Sequence, residues 1–178
     1  MKNKTVTIFG SSKPVAGEPE YEAAYLLGKL LAEKNLSVCS GGYQGIMDAV
    51  SKGAAERGAE AIGVTVDIFN AVPSKHLTKE IECRTLCERI DKLISLGDAY
   101  IVLDGGTGTL VELSIVWEYF NKNLNPRKPF ACVGNMWNEI ITVMEKRIFD
   151  EGRATGLIKN FADVELCADY IIGELNSK

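Results

Sequence analysis

The residues that could do chemistry in this chain gather around one run, Leu103-Asp104-Gly105-Gly106-Thr107-Gly108-Thr109-Leu110-Val111-Glu112. Its glycines let a backbone come close to a bound group, and Thr107 and Thr109 add hydroxyl donors. The run follows the apolar stretch Ala99–Leu103 and precedes Leu110, Leu113, Trp117 and Phe120, which recur at helical spacing. The glycines therefore fall where a strand hands over to a helix. There the first helical N–H groups have no partner and the helix dipole is positive. The expected ligand is an anion, phosphate above all. Glu112 stands about one turn into the helix, so a carboxylate lies beside the phosphate cradle and chemistry on a phosphorylated substrate is expected. The run is neither a Walker loop, since no lysine follows the glycines, nor a GxGxxG dinucleotide fingerprint.

Three further charged residues are candidates. Arg89 lies on the helix before the strand at 99–103, flanked by Glu88 and Asp91. It reads either as a substrate or Glu112 contact, or as a solvated ion-paired helix face. Asp104 ends a strand beside the glycines, where Asp-Gly is also ordinary turn chemistry. Asp98 reads as a strand-entry cap. Two more glycine-bearing loops, Gly10-Ser11-Ser12 and Gly41-Gly42, also follow strand-like runs.

The elements that must position these residues alternate along the chain. Strands are expected at Thr5–Phe9, Leu36–Cys39, Ala61–Val66, Ala99–Leu103 and Phe130–Val133. Helices are expected at Tyr21–Lys34, from Ile46 to about Gly58, and at Arg84–Leu96, followed by the one after the glycine loop, Met136–Ile148 and Ala168–Leu175. Asp67–Thr78, with Pro73 and the single histidine His76, has no clear period and reads as a long loop over a site. The alternation predicts an α/β fold, one doubly wound, mostly parallel Rossmann-like sheet with helices on both faces, in a single domain over 1–178. Ligands of such sheets bind at the carboxyl ends of the strands, near the switch in strand order. The three glycine-bearing loops should share that edge.

The bulk properties fit this reading. The chain of 178 residues is 46% hydrophobic and 25% charged, with a net charge of −4 and dispersed Lys and Arg. No clustered basic face marks a nucleic-acid partner, and no apolar segment has the length of a membrane span. Met1-Lys2-Asn3-Lys4 leads into a strand-like run without the apolar core of a signal peptide. Five cysteines (39, 83, 87, 132 and 167) show no CxxC or Cys/His cluster. They read as reduced thiols of a cytoplasmic protein without a metal site.

With these residues in place, the chain resembles the Lonely Guy (LOG) family of nucleotide phosphoribohydrolases. The family's PGGxGTxxE motif matches 104–112, its early Gly-Ser-Ser matches Gly10-Ser11-Ser12, and its GGxxGxM element matches Gly41-Gly42-Tyr43-Gln44-Gly45-Ile46-Met47. The family also carries an Arg-Lys pair fifteen residues before the first residue of the long motif, which falls at Arg89 and Ile90. Asp104 thus stands where the family has proline, and Ile90 where it has lysine. The older label attached to the family, possible lysine decarboxylase, does not fit, because no lysine here has a recognisable context for a pyridoxal Schiff base.

The resemblance implies cleavage of the N-glycosidic bond of a nucleoside 5′-monophosphate, AMP-like or a cytokinin riboside, to free base and ribose 5-phosphate, with no cofactor. It puts Glu112 and Arg89 in catalysis, Gly105, Gly106, Thr107, Gly108 and Thr109 on the phosphate, and Ser11, Ser12, Gly41, Gly42 and Met47 around the nucleotide. The alternative is a nucleotide- or molybdenum-cofactor-binding carrier without turnover. The resemblance also implies a homodimer or higher homo-oligomer. Val111 and Ile115 agree with this, because they lie off the stripe Leu110, Leu113, Trp117 and Phe120 and make the helix apolar on two sides.

Overall fold

A computed structural model describes residues 3–177; Met1 and Lys2, part of the N-terminal reading, lie outside the described residues. Seven strands form one parallel sheet: β1 (Thr5–Phe9), β2 (Ser37–Ser40), β3 (Ala61–Val66), β4 (Lys79–Cys83), β5 (Ala99–Val102), β6 (Phe130–Val133) and β7 (Lys159–Phe161). Their order is β4-β3-β2-β1-β5-β6-β7. The chain winds outward from β1 to β4, then crosses back to place β5 on the other side of β1. That reversal leaves a crevice between the loops after β1 and β5. The doubly wound α/β fold is as the alternation predicts.

Six helices cover the sheet: α1 (Pro19–Ala32), α2 (Ile46–Ala55), α3 (Leu86–Leu96), α4 (Thr107–Asn121), α5 (Asn135–Asp150) and α6 (Val164–Asn176). The central strands are buried on both faces, mostly through apolar residues, with Thr5, Thr7, Ser37 and Ser40 interspersed, as in a sheet covered by helices on both sides. Val6, Val38, Ile101 and Leu103 point toward α1, α2 and α6, where Leu27, Val50 and Ile171 complete one core. Phe9, Cys39, Tyr100 and Val102 point toward α3, α4 and α5, where Leu93, Trp117 and Trp137 complete the other. At this size each fully buried Leu, Ile or Phe contributes about 1.5–3 kcal/mol of burial.

Two strands are absent from the sequence reading, β4 and β7. Both are edge strands, and their residues Lys79, Glu80, Glu82, Lys159 and Asn160 are exposed. An edge strand has one neighbour and tolerates charge, so it carries little apolar period. The two-sided reading of α4 also changes in detail. Leu113, Val116, Trp117 and Phe120 form its buried stripe, while Leu110 is exposed and Ile115 packs at the edge of the core. Among the described residues no helix is long and apolar enough to cross a membrane. All five cysteines are free, and only Cys87 is exposed.

Candidate active site

The crevice is assembled by loops that each leave the carboxyl end of a strand. Ser11 stands at its hub. Its N–H donates to the Asp104 carbonyl at 2.9 Å, and its own carbonyl accepts from Ile46 N–H at 2.9 Å. One residue thus ties the β1 loop to the glycine loop after β5 and to the first turn of α2. Gly45, at φ +71°, makes this approach feasible, because a Cβ there would run into the Ser11 and Ser12 backbone.

The resulting crevice has a volume of about 530 Å³, in the range of small-molecule sites. Ser11, Ser12, Met47, Arg89, Gly106, Thr107, Gly108, Thr109 and Glu112 all line it. Gly106 precedes the first residue of α4, so the free N–H groups of that helix begin at the crevice. Gly106 itself is extended, at φ −95°, and a Cβ there would meet nothing within 4 Å. Its glycine is therefore not required by backbone conformation. Gly105, Gly41 and Gly42 support the lining from behind. A Cβ at Gly105 would strike the Thr109 side chain, and one at Gly41 would strike the Arg89 guanidinium.

Arg89 is 5% exposed, so the solvated-face reading is wrong. Ile90, Leu93 and Ile94 turn α3 onto the core, and Arg89 follows them under the strand ends. Its Nε donates to the Val64 carbonyl at 2.8 Å, and its Nη2 donates to the Gly41 carbonyl at 3.2 Å. Its Nη1 reaches Glu112 Oε1 at 3.5 Å. The rings of Tyr43 and Phe69 lie 5.7 and 5.5 Å from the guanidinium carbon, within cation–π range. Two carbonyls, one carboxylate and two rings thus hold this cation at the edge of the crevice.

Glu112 lies in the second turn of α4, with its side chain 12% exposed. Burial pushes its carboxyl up from 4.5 to about 7, against the opposing pull of Arg89. Such a group changes protonation near neutrality, as general acid–base catalysis favours. Asp104 is directed elsewhere. It lines a small cleft with Glu20, Ile46 and Val164, and burial raises its carboxyl also. Asp98 accepts from Thr5 N–H at 2.8 Å and caps β1, remote from the crevice lining.

Sequence reasoning passed over several lining residues: Lys13, Tyr43, Phe69, Ala71, Leu86, Ile90 and Val111. Tyr43, Ile90 and Val111 stand inside or beside the motifs read from the sequence without being assigned to the site, and Phe69 and Ala71 fall in the long loop at 67–78, marked by its lack of period. It contains a 3₁₀ turn at Asp67–Phe69 that brings Phe69 to the crevice. Its far end is fixed by Asp48 of α2. That carboxylate accepts from Tyr21 Oη and Ser74 Oγ, both at 2.6 Å, and lies 3.0 Å from His76 Nδ1. His76 therefore anchors the loop and is not among the lining residues.

The fold and the crevice define a Rossmann-like α/β protein whose candidate site straddles the switch point of the sheet. Within that class, the chain belongs to the SLOG cluster4 family, whose model matches residues 3–145. It is 30% identical over 129 residues to the cytokinin riboside 5′-monophosphate phosphoribohydrolase of Rhodococcoides fascians, covering 69% of this chain and 65% of that protein. The chain thus spans just under two thirds of that relative's length. It is 31% identical to the probable cytokinin riboside 5′-monophosphate phosphoribohydrolase LOG4 of Oryza sativa subsp. japonica, covering 98% of this chain and 76% of that protein. The resemblance to the LOG family is borne out, and these relatives carry the names of hydrolases. The molybdenum cofactor binding protein of Rippkaea orientalis shares the fold, with a TM-score of 0.79 at 18% identity over 98% of this chain and 99% of that one.

Proposed function

We propose that the crevice hydrolyses the N-glycosidic bond of a nucleoside 5′-monophosphate, releasing the base and ribose 5-phosphate. The observation that carries this reading is the buried Glu112, held by Arg89 and set behind the helix N-terminus that would receive the phosphate. As the base departs, the sugar gains oxocarbenium character, and a nearby carboxylate stabilises that charge. Water adds its oxygen to C1′, the C1′–N bond breaks with its electron pair on the base, and the surplus proton ends on the base. Glu112 orients the water and takes its proton. Arg89, a guanidinium that stays protonated, holds the carboxylate in place.

In this reading Gly106–Thr109 and Ser11–Ser12 hold the 5′-phosphate, Met47 borders the nucleotide, and Gly105, Gly41 and Gly42 give the backbone its close packing. We further propose a homodimer. Leu110 and Val111 on α4, and Val143 and Phe149 on α5, are exposed on one side of the sheet, as an interface between copies would require.

The second reading, a carrier that binds without turnover, is favoured by Ile90, which gives the crevice an apolar wall. Asp104 lends it no support, because its side chain lies in the other cleft. Purified protein incubated with AMP distinguishes the two. Release of adenine and ribose 5-phosphate, lost in Glu112→Gln, supports the hydrolase; tight AMP binding without adenine release supports the carrier.

A further inference from the structure

The charge inventory of the crevice is short. Lys13, Arg89 and Glu112 are the charged side chains that line it. Arg89 and Glu112 are paired, which offsets the Arg89 charge, and two further Arg89 N–H groups are directed to the Val64 and Gly41 carbonyls. A phosphomonoester near neutral pH carries about −1.5 to −2 charges. The free N–H groups at the start of α4 offer only partial positive charge, equivalent to about half a unit. A site built from these alone would leave the ligand's charge largely unbalanced.

Lys13 is placed to supply the missing charge. Its backbone is fixed, because its N–H donates to Ser11 Oγ at 3.1 Å and the buried Pro14 follows. Ser11 in turn is bonded to Asp104, at the start of the glycine loop. Lys13 is exposed and is one of the residues lining the crevice, and its side chain makes no ion pair or hydrogen bond among the described residues. A flexible ammonium on a fixed stem suits a compact phosphate, which needs point charge more than a planar fork.

We infer that Lys13 is the cation that binds the phosphate of the substrate and makes the site select phosphorylated over unphosphorylated nucleosides. This rests on the reading of the crevice as a nucleotide site but not on turnover. Lys13 is a binding residue and leaves the chemistry at Glu112 unaltered, so its loss raises KM for AMP while kcat changes little.

The test uses calorimetry with ribose 5-phosphate and with adenine, on the intact protein and on Lys13→Met, which keeps the apolar stem. The variant is expected to bind ribose 5-phosphate roughly 10- to 100-fold more weakly, with adenine binding unchanged and with Lys13→Arg restoring part of the loss. Added salt should narrow the gap, since the exposed charge is screened. Equal affinity of wild type and Lys13→Met for ribose 5-phosphate overturns the inference, as do equal losses for ribose 5-phosphate and adenine, or no ribose 5-phosphate binding by wild type. Lys13-dependent binding of ribose 5-phosphate in a protein that releases no adenine from AMP sustains this inference and removes the hydrolase reading.

Discussion

Arg89 Nη1 lies 3.5 Å from Glu112 Oε1, and the two side chains are 7% and 12% exposed. The pair joins α3 to α4 across the carboxyl edge of the sheet. It is a loose, largely buried ion pair at the wall of the crevice, and the carboxylate is the member that titrates.

The first consequence is catalytic. Glu112→Gln keeps the size of the side chain and removes its charge and basicity. Turnover of AMP is expected to fall by about 10²–10⁴-fold, the usual contribution of a positioned acid–base group. Binding of AMP should survive. A variant that releases adenine at the wild-type rate removes Glu112 from the mechanism.

The second concerns pH. The Glu112 carboxyl is raised from 4.5 to about 7 in the folded protein. A carboxylate acting as base then gives activity that falls as pH drops below about 7. For stability the sign is opposite to that of a salt-bridged acid. Between pH 4.5 and about 7 the folded state holds more protons on this group than the unfolded state, so its contribution to stability declines as pH rises through that window. The melting temperature of wild type minus that of Glu112→Gln, followed by calorimetry from pH 4.5 to 8, should decline to pH 7 and then level off. A difference that is flat throughout contradicts the raised carboxyl.

Arg89→Ala should unfold easily as well as lose activity, in contrast with what an exposed pair would do. The substitution strands Glu112 and leaves the Val64 and Gly41 carbonyls without their donor. Removing one member of a buried pair costs about 3–5 kcal/mol, or roughly 6–20 °C in melting temperature for a chain of this size. A loss of only a degree or two would mean that water readily replaces the guanidinium.

Gly106→Val tests the phosphate cradle without disturbing the fold. The backbone there is extended and a Cβ meets no neighbour, so thermal stability should change little. A branched side chain at the mouth of the helix should nonetheless weaken AMP by about tenfold or more, since one charge-assisted hydrogen bond is worth that much. Adenosine and adenine should be affected less. Equal losses by calorimetry for all three ligands would place the phosphate elsewhere.

Light scattering behind a sizing column is expected to give at least twice the chain mass. Val143→Asp or Phe149→Asp, both at exposed positions on α5, should shift the mass toward one chain without unfolding it. A single-chain mass for wild type at micromolar concentration would remove the homodimer.

The alternation of apolar runs and amphipathic stretches was enough to specify a doubly wound sheet, because parallel strands buried on both faces must be mostly apolar and their crossovers must be helical. The glycine loop was legible for the same local reason: a strand end, small residues and a helix start are neighbours in sequence. What lay beyond the sequence depends on contacts between distant segments. β4 and β7 are strands only because β3 and β6 offer them a ladder, and charged edge residues leave no period to read. Arg89, between two acids on its helix, has the local pattern of a solvated residue. It is buried because α3 packs against β3 and the Gly41 turn lies above it, and neither neighbour is close in sequence. Asp104 shows the reverse. It sits inside the motif, yet it lines a small cleft with Leu103 and Val133, while Gly106–Thr109 and Glu112 of the same motif line the crevice.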